Sequence, residues 1–339
     1  MFILKKSLKF IRNLILNFLP IKKIAKKPLI IDDFSGYNQP YHPSVLYFQE
    51  GFNGYKYWMV QTPFPIGGIP YRDRWECPCI YWSNDGIAWQ TDKKVNPIDD
   101  ITSEQILNKD YLSDPHLVYR DDTKTLECWY RITNMNKSNS DMKLQYPTYL
   151  LKKTSENGLD WSEREILIDL QDFNNTLDNM VRSPSIIWDN NNKLYRMWYV
   201  DTLPTLSNRN IVYAQSNNGH TWTNKIVTNM DSYIDPWHID VNYFDGKYHL
   251  INYTLTSNKG LNYYESSDGI NFKFIKEILK PSLFSFYSNG LYRSCVIKTN
   301  DKIRVYFSGF THSKTSLGIL QGYNIENLKV INGRNKSLL

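Results

Sequence analysis

Cysteine is scarce in this chain, with four in 339 residues, at positions 77, 79, 128 and 295. That number and spacing give neither a disulfide framework nor two CxxC pairs at zinc spacing, so reduced thiols and a cytoplasmic location are expected. Cys77-Pro78-Cys79 reads as two small apolar residues in a strand rather than a redox or metal motif. No apolar run of about 18 residues occurs, so no helical membrane span is expected. Acidic residues are missing from positions 1–27, which hold eight Lys or Arg. Without that arm, 32 basic residues stand against 34 acidic ones, and the body has no basic surplus with which to bind nucleic acid.

The arm has its own pattern. Phe2, Ile3, Leu4, Leu8, Ile11, Ile15, Phe18 and Leu19 recur near helical spacing, Lys5, Lys9 and Arg12 fall on a second face, and Pro20 ends the run. Lys6, Lys9 and Arg12 interrupt the stretch that a signal peptide keeps uncharged. The expectation is a basic amphipathic helix with its linker over 1–27, lying on an anionic membrane at the inner face of the cell membrane. The alternatives are a helix packed on its own domain and an uncleaved signal anchor.

Aromatic residues make up 15% of the chain, and from residue 40 onward they belong to a repeat of three signatures. First comes a turn running into a strand, as in His42-Pro43-Ser44, Asp114-Pro115-His116, Ser183-Pro184-Ser185, Trp237-His238-Ile239 and Tyr292-Arg293-Ser294. An aromatic strand follows, as in Tyr57-Trp58-Met59 or Tyr195-Arg196-Met197-Trp198-Tyr199. The unit closes with Ser-x-(Asp/Asn)-Gly-x-x-(Trp/Phe), at Ser83 to Trp89, Ser155 to Trp161, Ser216 to Trp222 and, one residue shorter, Ser267 to Phe272. The Asp-Gly or Asn-Gly pair suits a tight hairpin, so each unit is a four-stranded meander. Five such units predict an all-β fold, a five-bladed β-propeller over 28–339, with Pro28–Ile31 closing the ring as the outer strand of the last blade.

In a propeller the innermost strands line the channel and their starts converge at one mouth, which is where a ligand site forms. The polar residues gathered there are His42, Asp114, His116, Arg182, Asp235, His238, Asp240 and Arg293, with Glu76 nearby. Trp75, Trp237, Tyr41, Tyr111 and Tyr292 offer flat rings for sugar stacking. His238 and Asp240 would supply two metal ligands, but spacing supplies no third, so neither a metal nor a cofactor is expected.

The Asp114-Pro115 blade opening, the Ser-Asn-Asp-Gly-Ile-Ala-Trp turn and the Tyr-Arg-Met-Trp-Tyr-Val strand resemble the five-bladed propellers of glycoside hydrolase families 43, 32, 117 and 130, over about residues 40 to 325. The resemblance implies a sugar-cleaving site in the funnel at the channel mouth. Family 43-like enzymes carry a base Asp on blade 1, a supporting Asp on blade 2 and an acid Glu on blade 3; only the second has a counterpart here, Asp114. Family 130 enzymes carry Glu-Asp-Pro-Arg, of which Ser113-Asp114-Pro115-His116 keeps the Asp-Pro. The expected glycosidic pair is therefore Asp114 as acid, partly protonated, with Asp240 or Glu76 as base. His42, His116, His238, Arg182 and Arg293 form a cationic ring for a phosphate or sugar acid. The functional expectation is a carbohydrate-active enzyme serving synthesis or modification of a lipid-linked or surface polysaccharide. Its alternatives are a non-catalytic glycan-binding propeller and a transferase using an activated sugar.

Overall fold

The computed structural model describes residues 26–66, 76–107, 110–134, 148–169, 181–202, 209–232, 235–254 and 260–333. The amphipathic helix expected in the arm lies outside the described residues, as does Trp75. Among the described residues no helix is long and apolar enough to cross a membrane.

Five antiparallel sheets follow one another along the chain, as the repeat requires. Blade 1 contains β1 (Pro40–Phe52), β2 (Tyr55–Pro63) and β3 (Cys79–Ser83). Blade 2 contains β4 (Asp110–Arg120), β5 (Thr125–Asn134), β6 (Thr148–Ser155) and β7 (Glu165–Asp169). Blade 3 contains β8 (Val181–Asp189), β9 (Leu194–Thr202), β10 (Arg209–Ser216) and β11 (Thr223–Val227). In blade 4 the short β12 (Asn229–Met230) adds in parallel to β16 (Asn271–Leu279), outside β13 (Pro236–Phe244), β14 (Lys247–Thr254) and β15 (Leu261–Ser266). Blade 5 contains β17 (Gly290–Lys298), β18 (Ile303–Phe310), β19 (Thr315–Gly322) and β20 (Lys329–Ile331). The innermost strands β1, β4, β8, β13 and β17 touch in that order, and β17 returns to β1 to close the ring.

The core is divided among the seams. Five clusters of buried side chains each join two neighbouring blades, for example Trp58, Val60 and Leu112 between blades 1 and 2, and Tyr306, Ile319 and Val45 between blades 5 and 1. The Asp-Gly turns lock these seams. In every copy a Ser Oγ accepts from the glycine nitrogen, from Ser83 to Gly86 at 2.9 Å and from Ser155 to Gly158 at 2.8 Å. The fourth cap is Ser266 on Gly269, not Ser267, so that copy has the same register as the others. Gly158 has φ +78°, and a Cβ there would stand 2.3 Å from Trp58 of blade 1. Gly219 and Gly269 sit in the same way on Trp129 and Trp198 of the preceding blades, and Gly86 on Tyr306 of blade 5. Only glycine permits both the backbone angle and the approach.

Ring closure departs from the expectation. Blade 5 builds its outer strand from its own C-terminal residues, β20, paired with β19. Pro28–Ile31 is not a strand; Leu29 N donates to Leu317 O at 2.8 Å, and Leu29 and Ile31 bury their side chains at the seam between blades 5 and 1. The four cysteines are free and buried.

Candidate functional site

The inner strands present two tiers of side chains to the channel. The bulges at His42-Pro43, Asp114-Pro115 and Ser183-Pro184, each with its first residue at positive φ, turn that residue inward at the mouth. With His238 and Arg293 from blades 4 and 5 these residues form an upper tier. Two residues further along each strand stand Ser44, His116, Ser185, Asp240 and Cys295, the lower tier, on the same strand face but about 7 Å deeper. The equivalence is seen in the hydrogen bonds that pass from blade to blade. Ser44 Oγ accepts from Leu117 N, Ser185 Oγ from Val241 N and the Asp240 carboxylate from Val296 N.

The upper tier opens into a cavity of about 260 Å³, whose lining includes His42, Glu76, Asp114, Arg131, Arg182 and His238, with Phe64, Tyr111, Trp237 and Tyr292 as aromatic walls. His42, Asp114 and His238 converge there, with candidate ligand atoms within 4.8 Å of one another. Asp114 is held from several sides. Its Oδ2 accepts from Arg131 Nε at 2.8 Å and from Ser183 N at 3.0 Å, while Oδ1 faces His238 Nδ1 and Arg293 Nη1, both at 3.5 Å. Burial works to raise the Asp114 pKa, but Arg131 and the other positive groups outweigh it and keep this side chain a carboxylate. The expectation that Asp114 is a partly protonated acid is thus corrected, because its blade-2 neighbour Arg131 neutralises it.

Burial has the opposite result on the imidazoles. It lowers His42 to about 3, with Asp114 opposing, and pushes His238 well below its usual value. Both are therefore neutral near pH 7, the state in which imidazole binds metals. His42 Nδ1 is used by Thr62 Oγ1 at 3.1 Å and lies 3.4 Å from Glu76 Oε1. Its Nε2, both His238 nitrogens and Asp114 Oδ1 are buried without a hydrogen-bond partner. Buried polar atoms without partners are costly, and a cation among them would satisfy all three residues. Two imidazoles and one carboxylate with open positions suit a divalent transition metal. Sequence spacing pointed to His238 with Asp240; the fold instead brings His238 to His42 and Asp114, from three blades.

Glu76 is the carboxyl beside this cluster. Burial first, then the charge of Asp114, raise its pKa well above the usual carboxylate range. Asp240 lies in the lower tier, in a separate cavity with Ser44, His116 and Cys295, and does not line the upper one. Its place two residues beyond His238 puts it too deep to face Asp114 across a bound sugar, which removes Asp114 and Asp240 as a catalytic pair. Burial raises Asp240 to about 6, and His116 Nδ1 stands 3.8 Å away. His116 also falls outside the mouth, fixed by Nε2 against Ile186 O at 3.0 Å. Arg293, though in the upper tier, does not line this cavity; its Nη2 donates to Pro184 O at 3.0 Å. Asp235 is engaged by Arg209, whose Nε donates to Oδ1 at 2.6 Å. Arg182 and Trp237 do line the cavity, with the guanidinium carbon 3.7 Å above the indole.

Arg131 was not among the residues expected at the site. The signal was present in the aromatic strand Cys128-Trp129-Tyr130-Arg131: where β5 pairs Arg131 with Ser113, β9 pairs the apolar Val200 with Arg182. A charge in an otherwise apolar strand end marks a buried partner.

No family model matches the chain. An A type blood N-acetyl-alpha-D-galactosamine deacetylase from Flavonifractor plautii is 22% identical over 241 residues, 61% of this chain and 30% of that protein. The chain thus spans under a third of the curated relative it matches. The crystal structure of an N-acetylgalactosamine deacetylase from F. plautii, in complex with blood group B trisaccharide, superposes with a TM-score of 0.71 at 18% identity, covering 88% of this chain and 93% of that one. The RS223 β-xylosidase structure gives 0.62 at 13% identity, over 91% and 99%. At these identities the likeness is one of fold. The chain is a five-bladed propeller whose fold is similar to that of these structures, as its repeat led one to expect.

Proposed function

We propose that the chain is a carbohydrate-active hydrolase that removes an acyl group from a sugar nitrogen with the help of a divalent metal. The convergence of neutral His42, neutral His238 and ionised Asp114 carries this reading. The likeness to an N-acetylgalactosamine deacetylase supports it. Glycosidic cleavage by two carboxylates is less well supported, since His42 and Ser183 stand in the upper tier of blades 1 and 3 and the one carboxylate of that tier, Asp114, is tied to Arg131.

His42, Asp114 and His238 would hold the metal, which when bound supplies Lewis acidity toward an acyl oxygen and toward water. Arg131 fixes the Asp114 carboxylate and keeps it charged. Thr62 fixes the His42 ring, leaving Nε2 directed at the cluster. Glu76, raised by burial, moves the proton between water and the departing nitrogen. The aromatic walls exclude water and stack against the sugar.

Acetate release from N-acetylgalactosamine glycosides, abolished by a chelator and restored by a divalent transition metal, is the expected result. Glu76→Gln should lower turnover roughly 100- to 10,000-fold while metal binding persists. Chelator-resistant release of the aglycone from an aryl glycoside would replace this reading with the glycosidic one. Binding of glycans with no turnover at all would favour the scaffold alternative, and sugar transfer from an activated donor the transferase.

The basic arm supports a second part of the proposal, that the protein works at the anionic inner face of the cell membrane on a lipid-linked or surface polysaccharide. Removing residues 1–27 should release it from vesicles containing anionic lipid; co-sedimentation of the truncated protein would overturn this.

A further inference from the structure

One surface turn carries apolar side chains at its tip. Between β16 and β17, Ser282–Ser285 closes tightly, with Ser285 N donating to Ser282 O at 3.0 Å and Ser285 Oγ donating to the same carbonyl at 2.7 Å. The two central residues are Leu283 and Phe284, 80% and 47% exposed. The inner hairpins close instead on pairs such as Asn53-Gly54 in blade 1 and Asp245-Gly246 in blade 4, the residue types that turns ordinarily take. The aromatic residues that follow hold the turn in place: Phe286 stacks on Phe307 with ring centroids 5.8 Å apart, and Tyr287 is buried against Gly309. Packing accounts for Phe286 and Tyr287, but Leu283 and Phe284 are held out toward water.

The turn stands at the mouth end of blade 5. Asn289 N donates to Phe310 O at 3.0 Å and Gly290 pairs with Phe310, three residues before Arg293 of the upper tier. At the same end the turn between β18 and β19 exposes Lys314. The basic arm joins the body on this blade as well, since Leu29 N is bonded to Leu317 O, the third residue of β19. The eight Lys or Arg of residues 1–27 are thus tethered to the blade that carries the apolar tip.

The geometry points to the mouth end of blade 5 as the face that docks on an anionic bilayer, with Leu283 and Phe284 entering between the headgroups while Lys314 and the arm stay at the charged surface. A tip already closed by two hydrogen bonds loses little freedom on inserting, so most of the apolar area it removes from water counts toward binding. Basic charge beside apolar side chains is the composition that an anionic interface retains. Tyr292, on the cavity wall, lies two residues beyond Gly290, so docking by this face sets the cavity mouth beside the lipid, within reach of a glycan on a lipid carrier. The inference rests on the membrane reading above and adds the face that docks.

The four native cysteines are buried, so a thiol-directed, environment-sensitive dye reports on an introduced one. Full-length Leu283→Cys and Tyr323→Cys, the latter 70% exposed at the far end of blade 5, are labelled and mixed with vesicles of phosphatidylcholine alone or with phosphatidylserine. The dye at 283 should shift to the blue on the phosphatidylserine vesicles and the dye at 323 should not. The double variant Leu283→Ser/Phe284→Ser should bind those vesicles about tenfold or more weakly, and unfold at the temperature of the wild type because neither side chain belongs to the core. Sedimentation of the full-length protein with the vesicles but no shift at 283, equal shifts at both positions, or wild-type binding by the double variant overturns the inference and leaves the membrane reading standing. No sedimentation of the full-length protein overturns both. A blue shift at 283 that grows with protein concentration in the absence of vesicles assigns the tip to a second copy of the chain, and overturns the docking face.

Discussion

His238→Leu and Asp114→Asn should separate two roles that one cluster combines. Asp114 is fully buried and holds the equally buried Arg131. Replacing it with Asn removes the charge that balances this guanidinium, and breaking a buried ion pair from one side costs about 3–5 kcal/mol. His238 is also buried, but neither ring nitrogen has a hydrogen-bond partner. Leucine of similar volume removes two desolvated polar atoms, so in the metal-free protein its stability should stay within about 1 kcal/mol of the wild type or rise. Both variants should lose metal affinity by more than the roughly 10- to 100-fold that an outer-shell partner costs. Urea midpoints of metal-free protein and calorimetric titration with Zn(II) or Mn(II) give the two quantities. A His238→Leu protein as unstable as Asp114→Asn, or one that binds metal like the wild type, would refute the reasoning.

Three further outcomes are expected. Gly158→Ala forces a Cβ to 2.3 Å from Trp58 at φ +78°, and should cost about 2–5 kcal/mol, whereas Gly246→Ala, at φ +74° in open space, should cost only about 1–2; equal thermal shifts would argue against the Trp contact as the cause. Burial lowers His42 and His116 to about 3, so the unfolded chain takes up protons that the folded one refuses, and stability should fall as pH drops from about 6.5 toward 3; a flat profile of melting temperature over that range would count against neutral buried imidazoles. Asp240 has the opposite sign, because burial raises it to about 6 and its contribution is lost as pH rises from about 4 to 6. Asp240→Asn should therefore gain on the wild type across that window, and a constant difference would mean that burial leaves the Asp240 pKa where the unfolded chain has it.

The blades were legible because their signatures are local. Ser-x-Asp-Gly fixes a hairpin by contacts within four residues, and the aromatic strands repeat at the spacing that a meander demands. The fourth turn differs from its expected start by one residue: Ser266, not the adjacent Ser267, has the Ser-x-Asp-Gly spacing and caps Gly269. The site was legible in composition but not in arrangement. His42, Asp114 and His238 could be named from the blade openings, yet their meeting depends on the angle between blades 1, 2 and 4, which no spacing along the chain encodes. Asp240 illustrates the converse: two residues from His238 in sequence means the same strand face but a deeper level, and the period-2 rule says nothing about which level a ligand reaches. The ionisation of Asp114 is not legible in the blade openings, because Arg131, which sets it, comes from the second strand of the blade.

The glycine-on-aromatic turns divide the ring unequally. Four seams have one, at Gly86, Gly158, Gly219 and Gly269. The seam between blades 4 and 5 has none among the described residues; it relies on side chains such as Tyr253, Leu291 and Phe307. The meeting of the chain's two ends, usually the weak point of a circular fold, is doubly fastened here by Gly86 on Tyr306 and by the Leu29 segment. Trp237 and Tyr292 meet across the seam between blades 4 and 5 at the edge of the cavity, where the indole Nε1 donates to the phenol Oη at 2.8 Å. A ligand resting on this joined pair would touch blades 4 and 5 at once, and so bear on a seam that no glycine turn fastens among the described residues.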